Sequence, residues 1–317
     1  MIVNLFQSKQ LMKKVNYLDK FLLKVFILFV FFGSLYANDH PYIIVLGTAQ
    51  DGGSPHAACK KDCCEELWDN RFLHKKVSSI AIVNPKDKKF WIIDATPDFP
   101  EQLDFLEKKT GFSLAGIFIT HAHMGHYTGL LHLGREVMGS KNVPVFVMKK
   151  MKKFIESNGP WSQLVELKNI ALKELSNEQF ISLSTNLFIK PILVPHRDEF
   201  SETVGYQIKS KKSLIFIPDI DKWSKWSYDI RDVVQKNDYN LLDGTFYNIN
   251  ELPGRDMSKI PHPFIVETME LIEKDKNKVF FIHLNHTNPA LKQNSLEHKN
   301  ILKKGFNITK FGQKFHL

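Results

Sequence analysis

From residue 42 onward the chain is built of short, nearly unbroken apolar runs that end on polar or acidic residues. YIIVLGTA (42–49) stops at the glycine-rich turn QDGGSPH, and SSIAIVN and KFWIIDA flank the charged turn PKDKK, which predicts a hairpin. LAGIFIT, VPVFVM, LFIKPILVPH, VGYQIKS, SLIFIPD, YNLLDG and KVFFIHL repeat the pattern and predict buried strands. Between them the apolar spacing becomes helical. In DFPEQLDFLEKKTG, Phe99, Leu103 and Leu106 fall on one face, Asp98 is placed to cap, Pro100 sits in the first turn and Gly111 ends the helix. GLLHLGREVMG predicts a helix closing at Gly139, and further helices are expected at Ser224–Lys236, Phe264–Lys274 and near Ser295–Lys304. Strands and helices interleave without a long polar linker, which points to one α/β domain over residues 38–317.

Residues 1–37 are excluded from that domain. KVFILFVFFGSLYA (Lys24 to Ala37) follows lysines and ends in small residues, as a secretory signal peptide cleaved after Ala37 does. Its apolar core is short for a bilayer-spanning helix, so an uncleaved N-terminal anchor is the alternative. Either way an exported, periplasmic protein is expected, touching membrane only through the leader. Composition adds little: 317 residues, 43% hydrophobic and 24% charged, describe an ordinary globular chain that needs no disulfide staples. Of the formal charge of +9, the leader's five lysines and one aspartate account for four. The remaining basic clusters, KKMKK, KSKK and LKKG, lack interleaved aromatics and read as solvated faces. A small-molecule substrate is therefore expected rather than nucleic acid, and nothing in the chain speaks to its oligomeric state.

Cys59, Cys63 and Cys64 all lie in HAACKKDCCEELW, an odd number for an exported protein. Either Cys59 pairs with one of the other two in a disulfide, or three thiolates and one histidine hold a structural zinc ion. His56 is the nearest candidate for the fourth ligand, and a distant histidine would serve equally.

The strand ends carry the chemistry. FWIID ends at Asp94, GIFITHAH at His121 and His123, ILVPH at His196, LIFIPD at Asp219 and VFFIH at His283. In ITHAHMGHYTGL the array extends to His126, with Gly125 just before it. Single histidines at strand ends are common, but five such ends in order around a tight triple histidine point to a metal site.

These residues, in this order, resemble the metallo-β-lactamase superfamily over roughly residues 42 to 317. The resemblance implies an α/β fold, a four-layer αββα sandwich with a mono- or dinuclear metal site at one edge. It implies that Asp94 positions the histidine loop and that His121, His123 and His196 form the first site. His126 and His283 match the second, with His286 as a substitute for His283, and Asp219 bridges both. Gly125 stands where the second site has an aspartate, which leaves a complete first site and a weakened second. One or two Zn²⁺ ions are expected, with Fe²⁺ or Mn²⁺ compatible with the same donors.

NLLDGTF and KIPHPFIVET are similar in placement to the acid and histidine that tRNA 3′-end processing endonucleases of this superfamily use for proton transfer, here Asp243 and His262. VLGTAQDGGSPH, DATPDFPEQL, TGLLHLGRE, DGTFY and HLNHTNPAL resemble the pyrroloquinoline quinone biosynthesis protein B branch almost end to end. That branch replaces the first two motif histidines and keeps the aspartate, the reverse of this chain. A hydrolase is expected, in which metal-activated water attacks an ester, phosphodiester or amide-type bond. Asp219 would orient the nucleophile, and His262 backed by Asp243 would protonate the leaving group. An iron-dependent oxidative enzyme of cofactor biosynthesis, or a non-catalytic periplasmic binding protein on the same fold, are the alternatives.

Overall fold

The computed structural model describes residues 40–317; the leader lies outside the described residues. Among the described residues fourteen strands form two seven-stranded sheets. The first takes β1 (Tyr42–Gly47), β2 (Ser79–Asn84), β3 (Lys89–Ile93), β4 (Ser113–Phe118), β5 (Val143–Val147) and β6 (Ile170–Glu174) in sequence order. The second takes β7 (Ile181–Ser184), β8 (Leu187–Leu193), β9 (Val204–Lys209), β10 (Ser213–Ile217), β11 (Tyr239–Asp243), β12 (Val279–Ile282) and β13 (Asn307–Ile308). The last strand, β14 (Lys314–His316), returns to the first sheet and pairs antiparallel with β1.

The unbroken apolar runs follow from burial on both faces. Along β1, Ile43 and Val45 face the layer between the sheets, while Tyr42, Ile44 and Leu46 face helices. The inter-sheet core includes Ile80, Ile82, Ile93, Phe118, Tyr206, Ile208, Phe216 and Leu241. Helices Phe99–Thr110 and Lys149–Ser157 cover the outer face of the first sheet through Leu103, Leu106, Met151 and Ile155. Helices Ile230–Lys236, Ile265–Leu271 and Leu296–Lys303 cover the second through Val234, Met269 and Ile301. The result is the expected αββα sandwich.

Several expected helices are shorter or different. GLLHLGREVMG forms a 3-10 helix over Thr128–Leu133, and Gly134 then takes extended angles that break the winding. A side chain at Gly129 would collide with the Ala95–Thr96 backbone, so that segment is held against the end of β3 rather than free to wind as an α-helix. Ser224–Lys236 begins as the short 3-10 helix Trp223–Lys225, and the α-helix starts only at Ile230, capped by the Asp229 side chain. Asp98 does not cap its helix; its Oδ2 accepts from the Val77 backbone N–H at 2.7 Å and ties down the preceding loop. Gly111 ends that helix in the left-handed region as expected, with φ 70°.

Candidate metal centre

Strand polarity brings the candidate residues to one edge. β3 and β4 are parallel neighbours, as are β10, β11 and β12. Their carboxyl ends deliver Asp94, His121 and His123 from one sheet and Asp219, Asp243 and His283 from the other, where α/β sheets present their ligands. His196 follows β8. β1 is antiparallel to β2, and β2 to β3, so β1 also ends at this edge and delivers the 48–56 loop.

Two strand-end residues occupy backbone angles that L side chains rarely adopt, Asp94 at φ 71° and His283 at φ 64°. Each such residue costs about 1–3 kcal/mol and persists only where its surroundings hold it. Here both are completely buried. Asp94 Oδ1 accepts from the Thr120 backbone N–H at 2.8 Å, and its Oδ2 accepts from His126 Nδ1 at 2.7 Å.

The imidazoles are turned from behind. Thr120 Oγ1 donates to Asp94 at 3.0 Å, which leaves it to accept from His121 Nδ1 at 2.9 Å. Thr245 Oγ1 donates to Asp243 Oδ1 at 2.7 Å and in turn accepts from His283 Nδ1 at 2.9 Å. A proton fixed on Nδ1 leaves the Nε2 lone pair pointing at the centre. His123 is held from outside by Glu199, whose Oε2 lies 3.2 Å from its Nε2; Glu199 carried no signal in the sequence.

These groups face one another across a shared space. Nε2 of His121, His126, His196 and His283, together with Oδ1 of Asp219 and of Asp51, are buried without a hydrogen-bond partner. An unsatisfied buried polar atom costs about 1–3 kcal/mol, so six gathered around Asp219 are not a packing solution. They fit a cation that accepts their lone pairs. Asp219 Oδ2 lies 3.2 Å from Nε2 of both His126 and His283 and 3.5 Å from that of His121, while its Oδ1 is 3.7 Å from His196. Two overlapping sets result: His121, His123, His196 and Asp219, and Asp51, His126, Asp219 and His283, with the donor atoms of each set within 4.8 Å of one another. Asp219 belongs to both. The sequence reading missed Asp51, which stands four residues beyond β1 in the QDGG turn.

Charge state follows from the surroundings. Burial opposes ionisation of Asp219, but His283, His196, His126 and His262 around it hold the carboxyl well below the usual carboxylate range. Burial, with neighbouring histidines, pushes His121 well below the imidazole range, and burial first of all takes His196 to about 4. Both are neutral donors. His126 goes the other way: burial lowers it, but Asp94, Asp219 and Asp51 outweigh that and hold it well above.

Beside this cage, His262 Nδ1 lies 2.8 Å from Asp243 Oδ2 and 3.3 Å from Asp219 Oδ1. Burial disfavours its charge, yet Asp243, and then Asp219, raise its pKa above the ordinary value. The acid–histidine pair read from the sequence is therefore assembled, against the shared carboxylate.

His286 is not an alternative to His283. The chain turns sharply after β12, with Leu284 N–H bonded to Thr48 O, and His286 joins Cys59, Cys63 and Cys64 in a separate cluster. The three thiols are free, with Sγ atoms of Cys63 3.8 Å from Cys59 and 3.9 Å from Cys64, which suits three ligands of one ion rather than a disulfide. His56 stacks on His286 with ring centroids 4.3 Å apart and is not the fourth member. Burial and the neighbouring thiols push Cys63 up to about 12.

Residues 91–284 match the family described as Beta-lactamase superfamily domain. The chain belongs to the metallo-β-lactamase superfamily. Within it the likeness runs to the coenzyme PQQ synthesis protein B branch. The protein of that name from Methylorubrum extorquens (strain PA1) is 24% identical over 302 residues, covering 86% of this chain and 98% of its own length. The structure of Zn²⁺-bound PqqB from Methylobacterium extorquens superposes with a TM-score of 0.73 at 19% identity, covering 87% of this chain and all of that one. A diphosphatase from the PhnP family gives a TM-score of 0.64, also at 19% identity, covering 88% of this chain and 97% of its own. At these identities the structures establish the superfamily's fold.

Proposed function

We propose that the protein is a metal-dependent hydrolase of anionic esters, with phosphodiesters as the substrate class to test first. The observation that carries the reading is the set of unpartnered buried Nε2 atoms around Asp219, with the Asp243–His262 pair against the same carboxylate. His121, His123, His196 and Asp219 would hold a divalent ion, zinc by donor chemistry, with iron or manganese compatible. Such an ion supplies Lewis acidity and brings the ionisation of water down to about 7. Asp219, held ionised, aligns the attacking water by accepting its hydrogen bond. His262, with Nδ1 committed to Asp243, keeps Nε2 to give a proton to the leaving group.

The substrate class rests on the cleft beside the centre. It has a volume of about 710 Å³, and Asp51 and Met124 lie on its wall. Arg71, Lys75 and Lys310 line it without carboxylate partners among the described residues, while Lys76 is paired with Glu101. Phe72 is fully exposed there.

The test is hydrolysis of a chromogenic phosphodiester by protein loaded with Zn²⁺ or Mn²⁺. His121→Ala is expected to lose metal and turnover together. His262→Ala is expected to keep its metal while turnover falls about 10²- to 10⁴-fold. Normal turnover by His262→Ala removes the acid assignment, and a binding protein that merely kept the fold would show no metal-dependent turnover at all.

The end-to-end likeness to PQQ synthesis proteins favours one second reading, an iron-dependent oxidation at the same ligands. Full activity of a zinc-loaded, iron-free sample under anaerobic conditions excludes it. Export rests on the leader sequence alone and is proposed on that basis. For the cysteine cluster we propose a structural zinc ion on Cys59, Cys63, Cys64 and His286. Cys59→Ser is expected to lower zinc content by one ion per chain and to lower Tm; unchanged content overturns it.

A further inference from the structure

Gly125 leaves no carboxylate just before His126, yet a carboxylate from elsewhere in the chain, Asp51, stands beside His126 and His283. We propose that Asp51, from the loop after β1, is a metal ligand that replaces the aspartate missing before His126, and that Gly125 is the gap that admits it. The inference rests on the metal-centre reading above and deepens it, from one ion to two.

Three observations converge. First, Asp51 Oδ1 is buried without a hydrogen-bond partner and lies 3.2 Å from His126 Nε2 and 3.9 Å from His283 Nε2, atoms that are themselves unpartnered. His126 and His283 are completely buried, so this is an interior arrangement and not a surface cluster. Second, with Asp219 these residues place four donor atoms within 4.8 Å of one another, two imidazole nitrogens and two carboxylate oxygens. Third, Asp51 and a side chain at 125 exclude each other. A Cβ on Gly125 would overlap the Asp51 carboxylate and come within 2.5 Å of its Cα. An aspartate at 125 and the present path of the 48–53 loop cannot coexist.

The loop is fixed in that path. Gln50 N–H bonds to Leu284 O and Gly53 N–H to Gln50 O, and Gln50 Nε2 donates to Asp51 Oδ2 at 2.9 Å. The last bond engages one carboxylate oxygen and leaves Oδ1 for the centre. Ala49 bridges to both Val77 and Leu284, which anchors the start of the loop to the end of β12, where His283 originates. The carboxylate is therefore presented by a strapped backbone, as a ligand needs. Its new origin has a geometric consequence: Asp51 and its neighbours Gly52 and Gly53 line the 710 Å³ cleft, so a second ion would be held from the cleft side.

The test uses the full chain, stripped with chelator and reloaded with Mn²⁺ alone, an ion that favours oxygen and imidazole donors over the cysteine cluster. Uptake is counted by elemental analysis and ion pairing is read by electron paramagnetic resonance. The wild type is expected to take up two ions and show an exchange-coupled pair. Asp51→Asn, which preserves shape but not charge, is expected to drop to one uncoupled ion. Gly125→Ala, which leaves the carboxylate in the chain but displaces it, is expected to do the same. Retention of the remaining ion and of the near-ultraviolet circular dichroism shows that either variant is folded. A coupled pair in Asp51→Asn, or a single uncoupled ion in the wild type, overturns the proposal while leaving the hydrolase reading standing. A wild type that binds no ion overturns both.

Discussion

Asp94 has no atom among the donors of the centre, yet both of its oxygens are committed to it. One accepts from Thr120, whose hydroxyl turns His121, and the other accepts from His126 directly. Asp94→Asn keeps the shape and the Thr120 bond but puts an amide N–H against His126 Nδ1, which pushes that ring's proton onto Nε2. Metal affinity is expected to fall about 10- to 100-fold with the fold intact, read by Zn²⁺ titration against a competing chelator. At this scale the sequence was most informative where a residue ends a strand. Asp94, His121, His123, His196, Asp219 and His283 gather at one sheet edge, because an apolar run that stops on a polar residue marks both a strand and where it ends. Asp51 escaped because it lies four residues past its strand in a glycine-rich turn, where an acid usually means only a turn. The available signal was the paired one, a missing acid at 125 and an unassigned acid elsewhere at the same sheet edge.

Among elements, legibility tracked how much of each was buried. The central strands were plain, whereas β6 and β7 carry Lys173, Glu174, Ser182 and Ser184 and are mostly only part-buried, and offered no clear pattern. KKMKK proved to be the first turns of an α-helix, Lys149–Ser157, with its lysines outward and Met151 and Ile155 inward. The 244–264 segment, which carries His262 to the centre, has no regular pattern to read beyond one short 3-10 turn. It is fastened instead by Glu251, which accepts from the Tyr247 backbone N–H at 2.7 Å and from Thr287 Oγ1 at 2.6 Å. Burial pushes this carboxyl up to about 7 from an ordinary 4.5. A raised folded-state pKa gives stability that is complete below about 4.5 and lost as pH climbs through about 7, on the order of 3 kcal/mol. Glu251→Gln mimics the protonated form and is expected to flatten that slope, measured as urea midpoints below and above the window.

Across the whole molecule, the centre lies where the two sheets meet. His121, His123 and His126 come from the first sheet's loops and His196, Asp219 and His283 from the second's. An ion bound there is held by both and binds nothing comparable in the unfolded chain. Removal by chelator is therefore expected to lower Tm, by an amount set by free metal concentration over Kd, and re-addition of Zn²⁺ to restore it.

The order of the strands carries that division into the polypeptide itself. Among the described residues β1 to β6 build one sheet and β7 to β13 the other, with β14 crossing back. A nick in the 175–180 connection would leave two fragments, one with Asp51, His121, His123 and His126 and the other with His196, Asp219 and His283, so neither holds a complete donor set. Their reassembly would be coupled to the ion's capture, and β14, docked on β1, would be the latch that keeps the halves in register.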